Sequence, residues 1–574
     1  MLWHYSNRIV ATRLQRHFPP CCQRVLARLK KSLVSVPIFL GVLLSAGCTS
    51  LPSPESRQAS YAPSRAHTKS SSLGQAVGLL AQQHPGLSGI YPLADPKEAF
   101  AVRALLADAA EQTLDVQYYI WRNDLTGILL IQHLRQAADR GVRVRLLLDD
   151  SANVSFDELL ASLDAHENID VRLFNPLAIR FPRWLNFILD FQRVNRRMHS
   201  KSFIADNQAA ILGGRNVGDE YFGANAEFLF SDLDAIAVGP VVRDVSQAFD
   251  LFWNSDFAYP VSQLLPKADK TALDALDERA EKIMTSTEAR EFVQAMNDSS
   301  LITELLEGRM ALEWAPTRML TDQPDKIMDT TDATSGVASQ LNDLLQQAKS
   351  HIELISSYFV PTKTGSRRLR RLANKGVRIR ILTNSLASTD VAAVHAGYAK
   401  RRRKLLKSGI QLYEMRPLQD TPQHSQSVLQ RLRSKHAKSA NQPAFKSWSW
   451  GFKSPHNGRG PFRHATTSLH AKTVAVDDEW IFIGSFNFDP RSARLNTELG
   501  FVIDSPTLAR QVSQAFDTSV PEVAYEVAID DQGHLIWFLH TPEGVKTLHN
   551  EPQASVLRRA WVTFVSLLPI EWLL

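Results

Sequence analysis

His199-Ser-Lys201-Ser-Phe-Ile-Ala-Asp206 and His470-Ala-Lys472-Thr-Val-Ala-Val-Asp477 share one pattern, H-x-K-x-x-x-x-D, at two places in a chain of 574 residues. His and Lys at i and i+2 project from one face of a strand. The apolar residues after them suit a buried sheet, and the Asp falls where a turn is due. Seventeen residues past each His stands an Asn: Asn216 in Gly213-Gly-Arg-Asn216 and Asn487 in Gly484-Ser-Phe-Asn487. Small residues ahead of each Asn let the backbone approach a ligand closely.

Outward from these motifs the repetition continues. Thr113-Leu-Asp-Val-Gln-Tyr-Tyr-Ile-Trp121 reads as a strand, followed by a helix and by Arg140-Gly-Val-Arg-Val-Arg-Leu-Leu-Leu-Asp149. Some 238 residues later His351-Ile-Glu-Leu-Ile-Ser-Ser-Tyr-Phe359 leads through a basic helix to Lys375-Gly-Val-Arg-Ile-Arg-Ile-Leu-Thr383. Both are strand–helix–strand units of the parallel-sheet type, with Gly141 and Gly376 in the turn that ends the helix. The motifs are 271 residues apart, so the second half carries an insert, Gln423–Thr467. It is basic, Ser-rich and holds Trp448 and Trp450, a composition open to three readings: a flap, an interfacial anchor, or disorder.

Two His, two Lys and two Asn converging across a pseudo-twofold suit a phosphodiester. The Lys ammonium groups and Asn amides bind phosphoryl oxygens, most strongly as charge builds in the transition state. One imidazole attacks phosphorus while the other protonates the departing alkoxide, which divides a hard displacement into two steps through a phosphohistidine. A carboxylate beside each His holds its tautomer. Glu498, 28 residues after His470, and Asp234, 35 after His199, are the candidates for that role. The 17 His show no H-E-x-x-H pattern and no close clustering with acids, so neither a metal nor another cofactor is expected.

The paired motifs resemble the HKD signature of the phospholipase D superfamily, over a body running from about Gly86 to Leu574. Leu114-Asp-Val-Gln-Tyr-Tyr-Ile-Trp121, Arg197-Met-His199, Gly213-Gly-Arg-Asn-Val-Gly-Asp-Glu-Tyr-Phe222 and Leu567-Leu-Pro-Ile570 are similar to the cardiolipin synthase C-like bacterial branch. The resemblance implies an α/β fold: two fused α/β/α sandwich domains with mixed sheets, related by a pseudo-twofold, with one active site at their interface. It implies transfer of a phosphatidyl group without a cofactor, and phospholipid substrates, phosphatidylglycerol foremost and phosphatidylethanolamine second. By analogy His199 is the nucleophile and His470 the acid and base. The motif residues Asp206 and Asp477 complete the signature by bonding backbone rather than substrate. Where relatives carry Ser after the motif Gly in both halves, this chain has Ser485 in the second but Gly214-Arg215 in the first. Arg215 is then expected on phosphate, beside Ser485, Asn216 and Asn487.

Charge and cysteine usage set the location. The formal net charge is +6, but residues 1–47 hold seven Lys/Arg and no acid, leaving 58 basic against 59 acidic residues beyond them. A near-neutral body removes the main argument for a nucleic-acid partner. Ser32–Ala46 is apolar but too short to span as a helix, and Leu44-Ser45-Ala46-Gly47-Cys48 resembles a lipobox, which implies lipidation at Cys48. The other cysteines, Cys21 and Cys22, precede it, so no disulfide framework remains. The organisation expected is a lipoprotein signal peptide 1–47, a Ser/Pro/Ala-rich tether 48–85, and domains 86–310 and 311–574. The mature protein is placed in the bacterial envelope, lipid-anchored and facing the periplasm, with the outer membrane favoured; oligomeric state is unreadable.

Three further stretches could face lipid. Ile179–Arg197 interleaves Phe181, Trp184, Phe187 and Phe191 with five Arg, and suits either the headgroup level or a helix packed on its own domain. Lys400-Arg-Arg-Arg-Lys404 reads as a solvated face. The tail from Trp561 to Leu574 is apolar and broken by Pro569, and is expected to dock on the body rather than reach the bilayer. The function that fits best is a phosphatidyltransferase of the cardiolipin synthase type. A hydrolytic phospholipase D, a nuclease of the same superfamily and a non-catalytic envelope protein are the alternatives.

Overall fold

The computed structural model describes residues 51–53, 57–153, 156–224, 228–268, 271–328, 336–417, 466–568 and 571–573. Residues 1–47, expected as a leader, Cys48 and all of the insert except Thr466 and Thr467 lie outside them. Residues 178–186 cluster apart from the larger unit, Pro54–Leu177 with Phe187–Leu574. Within that small unit Asn186 ties the turn, donating to Ile179 O at 2.7 Å and Arg183 O at 2.9 Å, and Phe181 and Trp184 are exposed.

Two large mixed sheets organise the rest. The first contains β1 (Ser88–Leu93), β2 (Thr113–Tyr118), β3 (Arg143–Asp149), β4 (Ile169–Phe174), β5 (Ser202–Ala205), β6 (Ala209–Gly213), β8 (Asp234–Val238), β9 (Ala258–Pro260) and β10 (Glu313–Ala315). The second contains β11 (Thr317–Thr321), β12 (His351–Ser356), β13 (Arg378–Asn384), β14 (Gln411–Met415), β16 (Lys472–Val476), β17 (Trp480–Gly484), β18 (Leu499–Ile503), β19 (Ala524–Ile529), β20 (Leu535–Thr541) and β21 (Gly544–Leu548). β2–β3–β4 and β12–β13–β14 are the parallel trios. Beside them the order β5, β6, β8, β1 in one sheet matches β16, β17, β18, β11 in the other. The repeated sequence is therefore a repeated strand order. The change of sheet falls at Pro316 rather than at residue 310, because β10 still pairs with β1.

Helices cover both faces of both sheets. α1 (Ser72–Gln83), α2 (Pro96–Ala109) and α3 (Leu125–Asp139) lie over the first sheet, with the expected cap: Asp95 accepts from Lys97 N and Glu98 N, and Pro96 opens the helix. α4 (Val241–Trp253) and α7 (Pro506–Val523) share one core between the sheets, α4 through Val242, Val245 and Phe249 and α7 through Leu508, Val512 and Phe516. Their three- and four-residue spacing makes each helix amphipathic. α5 (Thr362–Asn374) and α6 (Ala392–Leu406) cover the outer face of the second sheet.

The stretch expected as a tether is packed where it is described. Ser60 N and Ala62 N donate to Asn254 and Asp250, Arg145 donates to Ser60 O at 2.8 Å, and Asn207 to Pro63 O at 2.7 Å. The segment lacks apolar residues for a core of its own, but its backbone groups find partners on the body, which composition does not reveal. α1 then buries Leu73, Val77 and Leu80.

The C-terminal helix α8 (Val556–Leu567) packs one side on the body, with Val562 and Val565 against Leu386 and Ala396. In the basic run, Arg402 turns inward to the buried Glu414 at 2.7 Å and Arg401 pairs with Glu571 at 2.7 Å. Among the described residues no helix is long and apolar enough to cross a membrane.

Candidate active site

Both motif histidines begin a buried strand at a seam between the halves. β7 (Phe228–Ser231) and β15 (Thr466–Leu469) pair in parallel, ending in the register Leu469↔Ser231. The pseudo-equivalent contact is a parallel bridge, Met198↔Thr497. His470 N donates to Ser231 O at 2.7 Å, and His199 N to Thr497 O at 2.9 Å. Each His is thus strapped to the other half, one residue before a carboxylate of that half.

The carboxylates answer accordingly. His199 Nδ1 lies 2.9 Å from Glu498 Oε2, and His470 Nδ1 lies 2.5 Å from Asp232 Oδ2. This corrects two expectations. Glu498 orients His199 rather than the His of its own half, and the partner of His470 is Asp232, not Asp234. Asp234 is two positions, one strand repeat, too far along. Its side chain takes the guanidinium groups of Arg103 at 2.7 Å and Arg215 at 3.2 Å, and accepts from Arg215 N. Strand register shows why. Gly213 pairs with Asp234 and Gly484 with Gly500, so Asp232 and Glu498 hold equivalent places.

Arg215 is likewise not on phosphate. It is fully buried and donates to Leu93 O, Ala94 O and Asp232 O as well as to Asp234, so its guanidinium holds the loop that carries Asp232. Ser485 Oγ donates to Glu498 Oε2 at 2.5 Å and accepts from Leu499 N, which makes it a positioning residue. Its counterpart, Gly214, has no room for a side chain: a Cβ there would lie 2.2 Å from Asp232 Oδ1. The shorter Asp keeps its carboxylate where Ser485 keeps its hydroxyl in the other half. Gly with Asp and Ser with Glu are two solutions of one packing problem.

The remaining predicted residues divide between the neighbourhood of the histidines and the far ends of their strands. Lys201 Nζ and Lys472 Nζ each donate to the carbonyl of their own motif His, and Lys472 also reaches Ser357 Oγ at 3.3 Å. Asn216 accepts from Ile120 N and donates to Tyr221 Oη at 3.0 Å; Asn487 accepts from Ser357 Oγ at 2.9 Å. Asp206 accepts from the backbone of Glu111, Gln112 and Thr113, and Asp477 from that of Lys349, Ser350 and His351. Both sit at positive φ, 51° and 56°, where the strand turns back. They are struts, as the sequence suggested.

Aromatic walls were missed by the sequence reading. Tyr119 meets His199 edge-on at 5.2 Å, and Tyr221 meets His470 at 5.4 Å with Phe230 at 4.8 Å. Tyr119 stands in the quoted strand Leu114–Trp121 and Tyr221 in Gly213–Phe222, so the signal was their place within matching segments.

Burial decides the protonation states. It lowers His199 to about 4, with Lys201 adding to the effect and Glu498 opposing it. It lowers His470 too, reinforced by Lys472 and opposed by Asp232. Lys201 falls to about 7 and Lys472 also falls, both chiefly from burial. Burial pushes Asp232 and Glu498 up, but the facing His and Lys groups overcome it and hold both below the usual carboxylate range. Lowered in this way, both imidazoles are favoured in the neutral form; with each Nδ1 facing a carboxylate, the tautomer that bonds there carries its proton on Nδ1 and leaves a lone pair on Nε2. Lys472 acts on His199 and Lys201 on His470, so one electrostatic cluster contains both.

The chain matches the family described as "Cardiolipin synthase, PLD-like domain" over residues 103–253 and 341–520, two segments that each contain one motif. Cardiolipin synthase C of Escherichia coli (strain K12) is 43% identical over 502 residues, covering 88% of this chain and 99% of that protein. An uncharacterized protein of Helicobacter pylori (strain J99 / ATCC 700824) is 32% identical over 500 residues, covering 85% and 90%. The crystal structure of phosphatidylserine synthase from Haemophilus influenzae Rd KW20 aligns with a TM-score of 0.51 at 13% identity, covering 87% of this chain and 100% of that one. The two-sheet fold is shared.

Proposed function

The chain belongs to the cardiolipin synthase, phospholipase D-like family, and from that premise we propose that it is a membrane-associated phosphatidyltransferase that joins two phospholipids through a phosphohistidine. The observation that carries this reading is the crossed pairing of His199 with Glu498 and His470 with Asp232 in one buried cluster.

His199, neutral and with Nδ1–H held by Glu498, attacks phosphorus through Nε2. The P–O bond to the departing alcohol breaks, and His470 Nε2 supplies its proton; the negative phosphodiester and Asp232 sustain the imidazolium that requires. His470 then removes the proton from the hydroxyl of a second phospholipid, whose oxygen attacks phosphorus and releases His199. Lys201 and Lys472 regain full charge as the phosphate enters and bind its oxygens as negative charge accumulates. Burial excludes the water that would turn transfer into hydrolysis.

Phosphatidylglycerol is the donor and acceptor of choice, with phosphatidylethanolamine second. Lipidation at Cys48 holds the protein in the bacterial envelope, facing the periplasm, at the outer membrane. The exposed Phe187, Ile188, Leu189 and Phe191 support a membrane-facing surface. Incubation of the purified chain with phosphatidylglycerol, with and without phosphatidylethanolamine or glycerol, followed by mass spectrometry, tests the proposal. Cardiolipin is the expected product. Phosphatidic acid alone would assign a hydrolase, and cutting of DNA without lipid turnover would overturn the lipid reading.

A further inference from the structure

Helix α8 is apolar on the side that faces solvent. Val562 and Val565 are buried under it, yet Val556 (70% exposed), Leu557 (83%), Trp561 (56%), Phe564 (54%) and Leu567 (80%) stand outward with Ala560. On a helical wheel these six fill one continuous arc of about 140°. An ordinary surface helix places polar residues there. Arg559 lies beyond one edge of the arc, past Thr563, Arg558 turns to the body side between Val562 and Val565, and the helix contains no acid. α6, on which it packs, adds Lys400, whose Nζ reaches Leu568 O at 3.3 Å, and Arg403 and Lys404.

The helix is also joined to the catalytic cleft. Leu386, beneath Val562 and Val565, belongs to the loop after β13. β13 ends at Asn384, which donates to Leu469 O and accepts from Leu469 N, next to His470. Arg558 donates to Thr389 O at 2.7 Å, and the adjoining Asp390 accepts from Tyr358 Oη at 2.7 Å.

We infer that α8 lies in the interface of an anionic bilayer, its Leu557, Trp561 and Phe564 side among the acyl chains and the cations beside it on phosphates, and so sets the cleft at headgroup depth. An all-apolar outer arc with cations beside it complements an anionic lipid surface. The inference rests on the lipid reading above and adds which element meets the membrane.

The test uses the full chain and the variant Leu557→Ser/Trp561→Ser/Phe564→Ser. Turnover is measured on phosphatidylglycerol vesicles and on dihexanoyl phosphatidylglycerol kept monomeric. The expected result is a loss of about tenfold or more on vesicles, from the apolar area withdrawn from the bilayer, with the monomeric substrate turned over as before. The unchanged monomeric rate also shows that the variant folds. Equal loss or equal activity on both substrates overturns the inference. So does sedimentation velocity in which the variant dissolves a wild-type dimer while vesicle turnover stays constant, since the stripe is then a contact between copies. If the wild type turns over neither lipid, the proposed function falls instead. The helix is then read by vesicle co-sedimentation, where binding equal to wild type sinks it.

Discussion

Glu498→Gln removes one charge and leaves the shape. In the wild type Glu498 accepts from His199 Nδ1–H at 2.9 Å and from Ser485 Oγ–H at 2.5 Å, fully buried. A hydrogen bond to a charged group contributes about 1.5–3 kcal/mol, so losing the charge alone slows attack by His199 roughly 10- to 150-fold. The amide adds a second effect. Its single oxygen remains with Ser485, which turns the NH2 toward His199 Nδ1. The imidazole then carries its proton on Nε2, where the lone pair is needed, and the total loss exceeds about a hundredfold. Adding Ser485→Ala frees the amide to present its oxygen to His199, so the double variant recovers part of the activity although it lacks two native groups. Quenched-flow trapping of acid-precipitable phospho-enzyme from phosphate-labelled phosphatidylglycerol measures the step. Wild-type trapping rates in Glu498→Gln, or a double variant slower than the single, would refute the crossed assignment.

His199→Ala abolishes the trapped phospho-enzyme, whereas His470→Ala lets it form and slows its turnover; label persisting in the His199 variant reverses the roles. Gly214→Ser drives a side chain into Asp232 and lowers kcat by about tenfold or more, while Gly214→Ser/Asp232→Glu copies the second half and restores much of it; no recovery refutes the packing argument. Arg215→Met breaks a buried pair and costs about 3–5 kcal/mol of stability, seen as a lower Tm, with KM for lipid unchanged in the fraction that remains folded. The pH profile of kcat/KM has its acid limb near 4, since His199 must be neutral, and falls on the alkaline side first as His470, lowered by burial, loses the proton it gives the leaving alcohol, and further above about 7 as Lys201 loses its own; an acid limb near 6.5 contradicts the buried site. Because the folded imidazole of His199 is lowered, the unfolded chain binds more protons below about 6.5, and the stability tied to it is lost as pH falls from there toward about 4.

The sequence by itself determined the duplicated α/β architecture and the paired His, Lys and Asp of the two motifs. Both follow from short-range rules: His and Lys two apart share a strand face, a helix ends at Gly141 or Gly376, and Asp206 and Asp477 sit where strands must turn. The tertiary structure decided which carboxylate serves which histidine. That choice depends on the parallel pairing of β7 with β15 and of Met198 with Thr497, contacts between residues more than 200 positions apart that no local spacing encodes. Asp234 and Asp232 differ by one strand repeat in sequence, and only the register of Gly213 reveals that the first meets Arg215 and the second meets His470. A strand's local pattern fixes the direction in which a side chain points, whereas the partner it meets is fixed by the chain folded against it.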